Sequence, residues 1–128
     1  MEENETMLEL KDFEEAKKRV DEVIIPTPLI YSLAFSKECR NMVYIKPENL
    51  QRTGAFKIRG AYNKIMKMDD ESKSRGLIAS SAGNHAQGVA YAAQQLGVKA
   101  TIVMPAHTPL IKVDATKALG ADVVLHGE

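Results

Sequence analysis

From Leu77 to Leu125 short apolar runs alternate with helical stripes, and this alternation constrains the fold more than any other feature of the chain. Leu77–Ser80 is apolar and bounded by Gly76 and Gly83, as a short buried strand would be. Ala86, Val89, Ala90, Ala93 and Leu96 then fall at helical spacing, and Gly97 sits where a glycine commonly stops a helix. Ala100–Met104 reads as a second strand. Thr108 stands where an N-cap belongs, with Pro109 at the first helical position, and Ile111, Ala115, Ala118 and Leu119 give another stripe. Gly120 ends that helix, and residues 121–125 form a third strand. Strand, helix, strand, helix, strand with short connections predicts parallel strands joined by right-handed crossovers. The class is α/β, a parallel sheet between helices in three layers.

The first half is less regular. Phe13, Ala16, Val20 and Val23 follow one helical stripe, which the run Ile25-Pro26-Thr27-Pro28-Leu29 breaks, because each proline fixes φ and lacks a donor. Residues 42–45 are β-prone and Pro47 ends them. Ile58, Ala61, Ile65 and Met68 predict a helix that starts close to Gly54 and runs toward Asp69. At 14.1 kDa, a folded monomer exposes roughly 6,700 Å² and holds one core. The chain stops three residues after the third strand, without a closing helix, so it is expected to be the front part of a longer protein.

Charge narrows the partners. Seventeen Lys+Arg against 17 Asp+Glu, interleaved along the chain, with a pI near 6.8, give no electrostatic footprint for nucleic acid. No apolar stretch approaches the ~20 residues needed to cross a bilayer, and the charged N-terminus has no signal-peptide core. Asn4-Glu5-Thr6 matches a glycosylation pattern that has no use without export. Cys39 is alone, so no internal disulfide can form, and the expected setting is a reducing cytoplasm with Cys39 as an ordinary packing residue.

Two segments carry candidate chemistry. In Gln51-Arg52-Thr53-Gly54-Ala55-Phe56-Lys57-Ile58-Arg59-Gly60, Lys57 opens a predicted helix beside an aromatic ring. A helix N-terminus and partial burial both disfavour an ammonium, and a neutral lysine is a nucleophile toward a carbonyl. The same position also suits a solvated lysine, and eleven other lysines compete for the role. In Ser80-Ser81-Ala82-Gly83-Asn84-His85, small residues between a strand and a helix let backbone amides approach an anion, a carboxylate or phosphate. A plain strand-to-helix turn with an Asn cap accounts for it equally well. No G-x-G-x-x-G and no G-x-x-x-x-G-K-[ST] is present, and His85, His107 and His126 do not cluster with Cys39 at metal-ligand spacing, so no metal site is expected.

Taken together, PENLQRTGAFKIRGAYNKI and SSAGNHAQGVAYAAQQLG, continued by TIVMPAHTPLIKVDATKALGADVVLHGE, resemble the threonine dehydratases (threonine ammonia-lyases). These belong, with the serine dehydratases and serine racemases, to the fold type II pyridoxal-phosphate enzymes, whose fold is like that of the tryptophan synthase β chain. The likeness runs from about Arg19 to Glu128. It implies the N-terminal portion of such an enzyme, with about 1–45 starting the large domain, about 46–128 forming most of the small domain, and the C-terminal remainder absent. The implied cofactor is pyridoxal 5'-phosphate, carried by Lys57, with Phe56 packed beside it and Asn84 bonded to its 3-hydroxyl. Ser81, Ala82, Gly83, Asn84 and His85 would receive the substrate carboxylate. Thr53 lies near the same site, and Gly54 would permit close approach before Lys57.

The implied reaction is elimination of water from L-threonine, and from L-serine, giving a 2-oxoacid and ammonia, in a cytoplasmic homo-oligomer. Two positions depart from relatives. Ala55 replaces a frequent serine, a small change. Ala82 stands where the racemases carry the serine that serves as a second acid/base, so elimination is favoured over racemisation. The glycine-rich phosphate cup of the family has no counterpart in the sequence, so the 128-residue chain is expected to bind the cofactor weakly and to turn over little substrate. The competing readings are a serine racemase-like or other β-eliminating enzyme and, from a different class, a non-catalytic α/β module that binds an anion or a partner.

Overall fold

In the computed structural model, which describes residues 7–127, the order is α1 (Leu10–Val20), β1 (Ile30–Tyr31), α2 (Leu33–Cys39), β2 (Tyr44–Ile45), α3 (Lys57–Met66), α4 (Asp70–Arg75), β3 (Leu77–Ser80), α5 (Asn84–Gln95), β4 (Ala100–Met104), α6 (Leu110–Ala118) and β5 (Asp122–Leu125). Two 3-10 turns, Glu48–Leu50 and Arg52–Gly54, link β2 to α3. The glycosylation pattern at Asn4 lies outside the described residues.

The strand–helix alternation of the second half folds as expected. β3, β4 and β5 form a parallel sheet in that order, with Ala79 opposite Ile102 and Ile102 opposite Val123. Gly97 and Gly120 end their helices at positive φ, 65° and 81°, a backbone region that glycine enters without a Cβ penalty. Sequential strand order with two right-handed crossovers sets α5 and α6 on one face. Side-chain alternation along β4 agrees: Ala100, Ile102 and Met104 are buried, whereas Thr101 and Val103 are half-buried. The neighbours of that second face, Ile78 and Val124, stand 81% and 46% exposed. The described residues thus supply two of the three expected layers.

One core joins these elements. Ile58, Ala61, Tyr62 and Ile65 of α3 pack on Ala86, Val89, Ala90 and Ala93 of α5, which rests on β3 and β4. The small residues of α5 let α3 come close, and Val20 and Val23 seal the cluster from α1 and the turn after it.

Several local expectations are corrected. The α1 stripe is shorter than predicted: Phe13 is exposed and Val23 lies beyond the helix end. The predicted helix toward Asp69 divides at Lys67–Asp69, where the Asp69 carboxylate accepts from the Ser72 amide and starts α4. Thr108 does not cap α6; its hydroxyl is buried without a partner, and Pro109 occupies the cap position. The β-prone run at 42–45 forms β2, but α2, β1 and the antiparallel β1–β2 pairing were not legible, and the apolar residues Ile30, Tyr31, Leu33 and Phe35 are exposed. Cys39 is exposed too, contrary to the packing role expected of it.

Candidate active site

Lys57 is the first residue of α3, and the chain before it is fixed by an unusual turn. Thr53 and Gly54 both hold positive φ, 62° and 68°, which reverses the chain and delivers Ala55 into the core and Phe56 to the helix start. For β-branched Thr53 this conformation is strained, and its Oγ1 is buried with no hydrogen-bond partner.

Upstream of that turn, side chains tie the segment to residues 23–27. Gln51, 4% exposed, accepts from the Ile25 amide at 2.8 Å and donates to the Ile25 carbonyl at 2.7 Å, reproducing a strand pairing through a side chain. Lys46 Nζ donates to the Thr27 carbonyl at 2.7 Å, and Arg52 Nε donates to the Val23 carbonyl at 3.3 Å. Glu48 accepts from the Thr27 hydroxyl and, in a two-point fork at 2.8 Å each, from Arg59 Nε and Nη2. The Arg59 fork, with help from Thr27, outweighs burial and holds the Glu48 carboxyl at about 2, far below its ordinary 4.5. Arg59 lies two residues after Lys57, so the clasp pins both sides of the lysine. Sequence patterning offered no signal for it, because these bonds join single side chains to side chains and backbone groups far away in sequence.

The second segment follows β3. The Ser81 amide donates to the Val103 carbonyl at 3.0 Å, which carries the ladder one residue past the strand, and Ser81 Oγ accepts from the Gly83 amide at 3.2 Å. Asn84 is the first residue of α5 and not its cap; Gly83 caps it without a side-chain bond, leaving the first-turn amides without helical partners. Ser81, Ala82 and Gly83 are half-buried, while Asn84 and His85 are exposed.

The two segments meet. Phe56, Lys57, Arg59 and Gly60 share the walls of a cavity of about 300 Å³ with His85. Lys57 Nζ stands 5.1 Å from the centre of the Phe56 ring. Burial of the lysine, expected from the sequence, is not supplied: its side chain is exposed, because the residues around it here come only from α3 and the start of α5. An amine at a cavity rim beside an aromatic ring, with the first turn of α5 sharing the same cavity through His85, fits the reactive carbon and the anionic neighbourhood of pyridoxal phosphate.

Comparison with known proteins supports this fit. An L-threonine ammonia-lyase of Thermotoga maritima is 52% identical over 121 residues, 94% of this chain and 30% of that protein. A serine racemase structure from Dictyostelium discoideum superposes with a TM-score of 0.88 at 38% identity, covering 94% of this chain and 39% of that one. Threonine deaminase isoform 2 from Solanum lycopersicum superposes at 0.80 with 43% identity, covering 94% and 35%. The chain spans about a third of the length of each. Residues 20–128 match the family described as pyridoxal-phosphate dependent enzyme, and the chain belongs to the fold type II pyridoxal-phosphate enzymes.

Proposed function

We propose that this chain is the Lys57-bearing portion of a threonine ammonia-lyase. What carries the reading is the shared cavity: Lys57 and His85, 28 positions apart in sequence, line one space together with Phe56. When bound, pyridoxal phosphate supplies an electron sink for a carbanion at the substrate Cα. Lys57 Nζ is the group that would hold the cofactor aldehyde and take the Cα proton. The Ser81–His85 turn would hold the substrate carboxylate through backbone amides and the Ser81 hydroxyl, with Ala82 and Gly83 leaving room for it. Fixing the carboxylate orients the Cα–H bond, which is a positioning contribution. Asn84 would bond the cofactor 3-hydroxyl, Phe56 would flank its ring, and Thr53 would lie against the same site.

In this reading residues of about 46–128 belong to the small domain, and about 1–45 begin the large one. L-Serine is a second substrate, and the working assembly is a cytoplasmic homo-oligomer. The fold likeness to a serine racemase favours a second reading, yet Ala82 has no proton to exchange on the opposite substrate face.

The test joins this chain to the remaining two thirds of the Thermotoga relative in place of its own matched segment. The expected outcome is threonine-dependent release of 2-oxobutanoate and ammonia, lost by at least about 10³-fold in Lys57→Ala. A chimera that holds cofactor on a different lysine, or that interconverts serine enantiomers without releasing ammonia, overturns the assignment. The isolated 128-residue chain should capture the cofactor only weakly.

A further inference from the structure

We propose that Gly88 is a positioning residue for Lys57: its missing side chain is the space into which the start of α3 is seated against α5. The proposal rests on the reading of Lys57 as the cofactor-bearing lysine. A Cβ built at Gly88 would stand 3.1 Å from the Lys57 carbonyl carbon, 3.1 Å from Lys57 Cβ and 3.2 Å from the Ile58 amide nitrogen. Two of these three are backbone atoms, which cannot swing aside as the end of a flexible side chain can. By contrast, a Cβ at Gly60, also helical, meets no atom within 4 Å. Gly88 is therefore required by contact, and the contact is with the reactive lysine itself.

The displacement has a defined direction. The Ser81–His85 turn leads directly into α5, one turn before Gly88, so a methyl at 88 that pushes α3 away moves Lys57 relative to that turn. Nor can α3 tilt freely to absorb the push. Ile58 is fully buried beneath it, and Arg59 is forked to Glu48. The shift is a few tenths of an ångström, on a scale where misplacing reacting groups by about 1 Å costs about a hundredfold in rate.

The test compares the chimera that carries this chain with its Gly88→Ala and Ala93→Gly variants, the latter a buried change about one and a half turns further along α5 that weakens the helix without touching Lys57. Each is incubated with pyridoxal phosphate, reduced with borohydride, and mapped for the lysine that carries the adduct, with the amide resonances of Lys57 and Ile58 recorded in parallel. The parent chimera should be modified preferentially at Lys57. Gly88→Ala should lose about fivefold or more of that preference and shift both amides. Ala93→Gly should melt earlier and keep the preference. An unchanged preference in Gly88→Ala, or an equal loss in Ala93→Gly, overturns the positioning role alone. A parent chimera without any preference for Lys57 overturns the cofactor reading and the positioning role with it. Should Gly88→Ala not fold in plain buffer, the comparison is repeated for all three chimeras in an osmolyte such as TMAO, which favours the folded state; Gly88→Ala should still show both amides shifted and the preference lost, and a retained preference there counts against the proposal.

Discussion

The two halves of this chain are held together by different physics. Residues 77–125 bury an apolar stripe per helix against alternate residues of a parallel sheet, and the forces are repetitive and local in sequence. Residues 23–59 are held instead by single polar groups acting at long range: Gln51 on Ile25, Lys46 on Thr27, and Glu48 on Thr27 and Arg59. The first kind of region tolerates the loss of no central side chain but keeps its geometry across pH. The second loses a few bonds at a time and is sensitive to protonation. Lys57 sits where the two meet.

The sharpest way to break the contrast is to remove a central side chain of the sheet. Ile102 is fully buried in β4 and faces the α5 side. Ile102→Ala should cost about 4 kcal/mol, the transfer of three carbons from the core plus the cavity left behind. That is a large share of the stability of a domain this size, so the variant should unfold at far lower denaturant concentration, and β3, β4 and β5 should lose amide protection together. Protection lost around Ile102 alone would show that the parallel unit is not cooperative.

Acid should act on the other half first. Glu48 has its carboxyl lowered to about 2 in the folded chain against an ordinary 4.5, with Arg59 as the main cause. A lowered folded value means that the unfolded chain binds the proton more readily. The contribution is therefore fully present above pH 4.5 and is lost as pH falls toward 2. After allowance for partial solvent screening it amounts to about 2 kcal/mol. The stability lost between pH 6 and pH 3, read from denaturant titrations, should be larger in the parent chain than in Glu48→Gln by about 1 kcal/mol, somewhat more than half of that contribution. Equal differences in both would place the acid sensitivity elsewhere.

This contrast also explains what the sequence disclosed. Ala86, Val89, Ala90 and Ala93 announce α5 because a helix buried on one side must repeat its apolar residues, and Gly97 and Gly120 announce the stops because only their backbone geometry suits the turn. Lys57 and the Ser81–His85 turn were singled out by order and spacing within a resemblance to known enzymes, and α3 lying on α5 brings Lys57 and His85 to one cavity. Gln51, Glu48 and Arg59 were not legible as a unit, since no periodicity marks a side chain that bonds backbone 26 residues away. Nothing in the sequence pattern singles out Gly88. Its significance depends on which atoms cross it, and that is a property of two helices rather than one.

The smallest effect tests whether strain at the junction is kept for the site. Thr53 holds φ 62°, and its buried hydroxyl lacks a partner. A left-handed β-branched residue costs on the order of 1–2 kcal/mol, and replacing it with glycine returns part of that to the unfolded chain as entropy. Thr53→Gly should therefore raise stability by about 1 kcal/mol, against the usual sign for a glycine substitution, as a higher denaturation midpoint would show. Thr53→Ala keeps the strained turn and removes the hydroxyl, so comparing the two separates backbone from side chain. If Thr53 serves the cofactor through its hydroxyl, both variants lose Lys57 modification by pyridoxal phosphate while only the glycine gains stability. If the backbone conformation alone matters, Thr53→Ala is modified like the parent. A strained residue that could be relaxed without any loss at Lys57 would have no role at the site, and the turn would then be set by Gly54 and the clasp alone.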